Sequence, residues 1–498
     1  MAREKTLWEL YTDEQMQEME EVGARYRRCL DQGKTERECV RLSIEMAEAA
    51  GYRPLKECVK KGESLKTGDK VYADYNGKCL VLYHIGEESI EKGMNILGAH
   101  IDSPRIDVKQ NPLYENTGYA YFDTHYYGGI KKYQWVTIPL AIHGVVVKKD
   151  GSRVDIVIGE KEDDPVFAIT DLLIHLASKQ MAKNGSTVIE GEGLDLLIGS
   201  IPQKKKADEE APDADADTGS GEDETANEKK LSDEEKKLAK TPVKANILRL
   251  LKENYDIEEE DFLSAELEIV PAGKAREMGL DRSMILSYGQ DDRICAFTSL
   301  MAMLDIDTPK RTACCLLVDK EEVGSQGASG MQSRFFENMT AELLALMGYP
   351  SALSLRRTLQ NSSMLSSDVS AGLDPMFADV FEPKNAAYLN KGVVFNKFTG
   401  ARGKSGSNDA NPEFMAAIRR ILDENQVQFQ TAELGKVDVG GGGTIAYIMA
   451  NYGMEVIDCG LAVLCMHAPM EISSKADVYE GVRAYRVFLE NMTNIYGL

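Results

Sequence analysis

A chain of 498 residues is too long for one ordinary hydrophobic core, so two or three domains are expected. A hydrophobic share of 43% is enough for packed cores, and 28% charged residues is ordinary for a soluble protein. The net charge of −23 argues against nucleic acid and anionic membranes as partners, because both would be repelled.

The first eight residues, MAREKTLW, contain no apolar run and no small-residue cleavage site, so no secretory leader is expected. Apolar spacing predicts two amphipathic helices over 12–30 and 35–50. From Val71 the pattern turns to strands, with short apolar runs at 78–84 and 94–99. The stretches 136–147 and 153–158 predict a β-hairpin turning at Lys149-Asp150-Gly151-Ser152. The first of them is the longest apolar run, but Pro139 and His143 interrupt it and it is too short to span a bilayer. A helix over 167–181 is expected next.

The segment 203–240 differs from its surroundings. Its stretch 207–225 (ADEEAPDADADTGSGEDET) has many acids and no large apolar residue, so it is expected to be mobile or only locally helical. Regular structure is expected to resume near Val243. From about Ala265, strands and helices alternate as far as a final helix over 475–496, which is the pattern of an α/β sheet with helices on its faces.

The nine cysteines include no CxxC pair. Cys295, Cys314, Cys315, Cys459 and Cys465 lie in apolar runs, which reads as reduced, buried thiols and a cytoplasmic setting. Adjacent residues in a strand face opposite ways, which argues against Cys314 and Cys315 as a pair of metal ligands.

Five segments put acids or histidines where strands end, the usual place for ligand sites in α/β sheets. In the first, His100 closes an apolar strand and Asp102 follows on the same face, where it could hold the imidazole or shape its surroundings; taken alone, a structural histidine is the plain reading. In the second, Asp291 and Asp292 precede the apolar helix expected over 294–304. N-capping is the plain reading, but one carboxylate of this pair could bridge two cations. In the third, a strand ending at Val318 runs into Glu321 and Glu322. One of these could bind a metal while its neighbour faces the water that the metal activates, and a solvated Glu-Glu pair is the alternative. The fourth holds Asp368, and the fifth, Cys465-Met466-His467-Ala468-Pro469-Met470-Glu471, supplies a second strand-end histidine among only six. Histidine and carboxylate ligands suit Zn²⁺, and a bridging carboxylate suits two ions.

Taken together, GAHIDSPR, YGQDDR, DKEEVGSQG, SSDVSAG and VGGGGT…MHAPMEI occur in one order, and by them the chain resembles the metallo-aminopeptidase family that contains aspartyl aminopeptidase and vacuolar aminopeptidase I. The resemblance implies an α/β zinc-peptidase-like catalytic domain with a central mixed sheet flanked by helices, built from 1–104 and 257–498. It also implies a β-rich oligomerisation domain inserted at 105–256. His100, Asp291, Glu322, Asp368 and His467 would hold two divalent ions, expected to be zinc with cobalt or manganese as alternatives, and Asp291 would bridge them. Glu321 would be the general base towards a metal-bridging water, and Asp102 would orient His100.

The resemblance further implies peptide substrates and a homo-oligomer, a dodecamer, in which His175 of one subunit enters a neighbour's site. A core position on a helix is the alternative for His175. Lys397 lies in the segment where acid-preferring members carry a basic residue, and acidic against neutral preference stays open. The glycines 440–443 could give room to substrate backbone or simply make a tight turn. Two rival readings of function are a metal-dependent deacylase of N-acyl amino acids and a non-catalytic assembly protein of the same fold.

Overall fold

Thr12 and Thr35 each open a helix by accepting a hydrogen bond from the main-chain N–H three residues on, which satisfies a donor the helix itself cannot. The helices run Asp13–Gln32 and Glu36–Ala49, as the spacing predicts. The computed structural model describes residues 5–204 and 240–495, so most of the acidic segment, including 207–225, lies outside the described residues. The chain divides into two units. The first comprises the described parts of Met1–Arg105, Tyr127–Lys131 and Gly273–Leu498; the second comprises Ile106–Tyr126 and the described parts of Lys132–Ala272.

The first unit is built on a mixed nine-stranded sheet. Its centre is four parallel strands side by side: Ala313–Val318, Asn95–His100, Ser363–Ser366 and Glu455–Gly460. Val318 pairs with His100 and Ser366 with Gly98, so the carboxyl ends of these strands finish at nearly the same level. Both faces of the sheet are covered, and adjacent residues of one strand enter different cores. Cys315 and Leu317 face one core, and Cys314, Leu316 and Val318 face the other. The two cysteines therefore point apart, as expected. Leu317 has no exposed surface; Leu317→Ala would cost about 2–5 kcal/mol through lost burial and the cavity left behind.

The helix Gln290–Asp305 is buried along nearly its whole length, against Asn95–His100 and Ala313–Val318 on one side and the helix Lys475–Asn491 on another. The last helix thus stops short of the expected 496. A small five-stranded sheet in the same unit joins Met284–Ser287 to Glu471–Ser474 in antiparallel register, which brings the chain before Asp291 beside the chain after His467.

The second unit carries a seven-stranded sheet, in which the predicted hairpin Leu140–Val147 and Arg153–Ile158 is antiparallel. The expected helix over 167–181 is absent as a continuous element. Ala168–Ile169 is a short strand paired with Leu196 and Leu197, Ile174–Leu176 is one 3-10 turn, and only Ser178–Met181 is α-helical. The periodic residues Leu172, Leu173, Ile174 and Leu176 are exposed, so the apolar face of a helix here would have nothing in the single chain to pack against, and strand pairing prevails. Cys465 also departs from expectation: it is exposed, while the other eight cysteines are buried.

Candidate metal centre

Three chain segments follow the carboxyl ends of the parallel strands, and two more, carrying Asp291 and His467, reach them from the small sheet. His100 is the last residue of its strand. Glu321 and Glu322 form a 3-10 turn just past Val318, and Asp368 lies two residues beyond Ser366. The start of the long helix delivers Asp291. Gly289, at φ +63, precedes it, the Asp291–Asp292 peptide is cis, and neither aspartate has helical backbone angles or acts as a side-chain cap. N-capping is therefore not what these acids do. His467 follows the strand Ala462–Leu464.

Asp291 stands between the two histidines. Its Oδ1 lies 3.2 Å from His100 Nε2, and its Oδ2 lies 3.1 Å from His467 Nε2. Asp368 Oδ1 and Glu321 Oε2 are each 4.0 Å from His100 Nε2, and Glu322 Oε1 is 3.6 Å from His467 Nε2. Potential ligand atoms of His100, Asp291 and Asp368 all lie within 4.8 Å of one another, and the same holds for Asp291, Glu322 and His467. His100, Glu321 and Glu322 form a third such group. Asp292 belongs to none of the three; it is fully buried, and burial pushes its carboxyl well above the ordinary range.

Each imidazole is fixed in orientation through its Nδ1. Nδ1 of His100 meets the main-chain oxygen of Asp102 at 3.0 Å, and Nδ1 of His467 meets that of Gly129 at 2.8 Å. A carbonyl can only accept, so both Nδ1 atoms carry a proton, and Nε2 is the atom turned towards Asp291 and the acids around it, donating to Asp291 in the metal-free chain and offering a lone pair once that proton leaves. That arrangement suits a metal ligand. Asp102, 1% exposed, accepts from the main-chain N–H groups of Glu321 (3.1 Å) and Glu322 (3.2 Å).

The electrostatics describe a site short of positive charge. Burial raises the carboxyls of Glu321, Glu322 and Asp368, and neighbouring acids push them further the same way. Burial opposes charge on His100 and His467, but Asp102 and Asp291 hold the first well above its ordinary value, and Asp291 and Glu322 take the second up to about 10. Asp291 goes the other way: despite burial, the two histidines hold its carboxyl below the ordinary range. Carboxylate oxygens and imidazole nitrogens crowded in this way are the donor set that zinc prefers, and divalent cations would compensate the acids.

The cluster opens into a cleft of about 490 Å³ whose other walls include Asn396, Thr399, Leu434, Thr444, Tyr447 and Met466. The glycine tract does two jobs. A β-carbon at Gly440 or Gly441 would lie 1.8 Å from Leu434 O or 2.1 Å from Gly400 O, so these two are needed for close backbone packing. Gly442 and Gly443 have no neighbour nearer than 3.9 Å to such a carbon, and they border the open cleft. Lys397 is not among the lining residues; it pairs with Asp409, which also holds Lys404 at 2.9 Å. His175 is not part of the cluster; it lies in the second unit, exposed on the 3-10 turn.

Glu471 received no role from the sequence. Its carboxylate accepts from the main-chain N–H of Asp291 at 3.0 Å and of His467 at 2.8 Å, so one buried acid ties together the backbones of two cluster residues. The four-residue spacing from His467 was the only available signal.

The sequence matches the family described as aminopeptidase I zinc metalloprotease (M18) over residues 29–489. A "Probable M18 family aminopeptidase 1" of Clostridium acetobutylicum is 57% identical over 487 residues, covering 98% of each chain. The crystal structure of an M18-family aminopeptidase from Thermotoga maritima superposes with a TM-score of 0.87 at 41% identity, covering 99% of this chain and 100% of the other. The S. cerevisiae mApe1 dodecamer structure is similar in fold, with a TM-score of 0.70 at 19% identity over 94% of this chain and 96% of the other.

Proposed function

The chain belongs to the M18 family of aminopeptidase I zinc metalloproteases and is thus a peptide-bond hydrolase; from that premise we propose that it removes N-terminal residues from peptides with two metal ions that share Asp291. The observation that carries this reading is the placing of the two oxygens of Asp291, one towards each histidine. His100 and Asp368 would hold one ion, and Glu322 and His467 the other. Bound there, zinc supplies Lewis-acid polarisation of the scissile carbonyl and a water acidified from 15.7 towards about 7.

Glu321 is the general base in this reading. It faces the cluster close to His100, and its raised proton affinity suits a group that accepts a proton from the attacking water and returns it to the leaving amine. Asp102 keeps Glu321 and Glu322 in place through their main-chain N–H groups and orients His100. The acids of the cluster would also attract the free α-ammonium of a substrate, which confines cleavage to the terminal bond. A neutral N-terminal residue fits best, because Lys397 is paired with Asp409 and the cleft lining offers no Lys or Arg.

The second unit is proposed as the oligomerisation part, with a dodecamer as the assembly and His175 reaching a neighbouring subunit's site. Supporting this, Leu172, Leu173, Ile174, Leu176 and Met181 around His175 are all at least half exposed, an apolar run that another copy would cover. The mApe1 structure of similar fold is a dodecamer by its own description. A cytoplasmic setting is supported by nine free cysteines, eight of them buried. Among the described residues, no helix is long and apolar enough to cross a membrane.

The test is metal content together with substrate choice. Elemental analysis of purified protein should give two zinc equivalents per chain. A neutral aminoacyl peptide should be cleaved, and its N-acetylated form left intact. One equivalent at full activity would overturn the two-ion reading, and preference for the blocked peptide would move the assignment to a deacylase.

A further inference from the structure

Residues Tyr127–Lys131 belong to the first unit, although the chain on either side of them belongs to the second. Three consecutive residues of this short return touch three different members of the metal centre. Tyr127 donates its hydroxyl to Asp102 Oδ2 at 2.8 Å. Gly128, at φ +74, lies so close to Glu322 that a β-carbon there would come 3.3 Å from Oε2. The Gly129 carbonyl accepts from Nδ1 of His467 at 2.8 Å. The positive φ of Gly128 turns the main chain here and lets it approach Glu322 closely, while a β-carbon at Gly129 would meet His467 only at ordinary contact distance.

The ring of Tyr127 is held independently of its hydroxyl. The Arg105 guanidinium lies 3.9 Å from the ring centre, and Arg105 pairs with the buried Glu36 at 3.5 Å, as does Lys78. The hydroxyl therefore arrives at Asp102 from a fixed ring. Asp102 divides its two oxygens among Tyr127, the N–H groups of Glu321 and Glu322, and Nδ1 of His100 at 3.3 Å. Without the phenol, Asp102 Oδ2 loses the one hydroxyl donor it has among the described residues.

We propose that Tyr127 is a positioning residue, and that Tyr127-Gly128-Gly129 acts as a clip that sets the two histidines relative to each other. Tyr127 acts on His100 through Asp102, and Gly129 acts on His467 directly. In the sequence Tyr127, Gly128 and Gly129 carry no acid or histidine of their own, and nothing local says that they meet residues far along the chain. The inference rests on the reading that these histidines hold zinc.

Tyr127→Phe removes the hydroxyl and keeps the ring over Arg105. Three measurements on it, beside the parent chain, decide the matter: metal-free Tm, zinc affinity by competition with a chromophoric chelator, and kcat and KM separately. The expected result is a metal-free Tm that falls less than the zinc-loaded one, zinc affinity weaker by about 10-fold, and a lower kcat at unchanged KM. In an Asp102→Ala background, Tyr127→Phe should add less than about 2-fold, because the two act in series. Parent-like zinc affinity and kcat would overturn the inference. So would a metal-free Tm that falls as far as the zinc-loaded one, or a full further loss in the Asp102→Ala background. A parent chain that binds no zinc would sink the underlying reading instead, whereas a zinc-binding parent with an unaffected variant sinks only the clip.

Discussion

His100 closes a strand flanked on both sides by parallel neighbours in register, and only 2% of its side chain is exposed. His467 sits on the loop after Ala462–Leu464 in the left-handed region at φ +64, with 35% of its side chain exposed. A side chain on a paired strand is placed by a ladder of hydrogen bonds that does not depend on the site. One on a loop is placed only by its own few partners, here the Gly129 carbonyl and the Glu471 carboxylate. The comparison teaches that one half of the centre is part of the scaffold and the other half is attached to it. The sheet-borne half should keep its ion longer, and the loop-borne half should exchange.

The most severe way to test that contrast is to remove the residue both halves share. Asp291→Ala should abolish peptidase activity and lower zinc content in both halves, read by elemental analysis after dialysis. Glu321→Gln should come next. Losing the base but no proposed ligand, it should drop kcat by about 10²–10⁴ while zinc stoichiometry stays that of the parent. The two histidines then separate the halves directly. In the parent, a chelator should strip one ion well before the other, and His467→Gln should eliminate the early phase while His100→Gln eliminates the late one. Equal stripping rates would break the comparison.

A gentler effect is the pH dependence of the metal-free protein. His467 rises from an ordinary 6.5 to about 10 when folded, so its contribution is fully present below 6.5 and is lost as pH climbs through 10. His100 and the raised carboxyls of Glu321, Glu322 and Asp368 act in the same direction, since each favours the folded state when protonated. The metal-free Tm should therefore fall across this window in thermal scans, and His467→Gln should flatten the fall. Zinc needs deprotonated ligands, so the rise in Tm that it produces should grow with pH. The smallest effect expected is that of Lys397→Ala: a surface pair with Asp409 is worth about 0–1 kcal/mol, and turnover of a neutral peptide should stay within about 2-fold.

The sequence displays the scaffold half more plainly than the attached half. An apolar run ending in His100, or in the turn that carries Glu321 and Glu322, advertises a strand and its end, because a buried parallel strand must be apolar throughout and stop where its ligands begin. Asp368 and His467 were visible as chemistry, but nothing local says that they meet Asp291. Glu471 and Tyr127 were silent because what they do depends on a partner far along the chain: Glu471 reaches Asp291 only through the small sheet, and Tyr127 reaches Asp102 across a turn of chain with no marked pattern. The helix expected over 167–181 shows the opposite failure. Its apolar spacing is real, but the surface it would have buried is exposed within the single chain.

The exposure of Cys465 has a practical consequence. Because the other eight thiols are buried, a maleimide dye under native conditions should attach at one place per chain, two residues from His467. The loop thus carries its own labelling handle, and the emission of a dye placed there could follow the departure and return of an ion in real time.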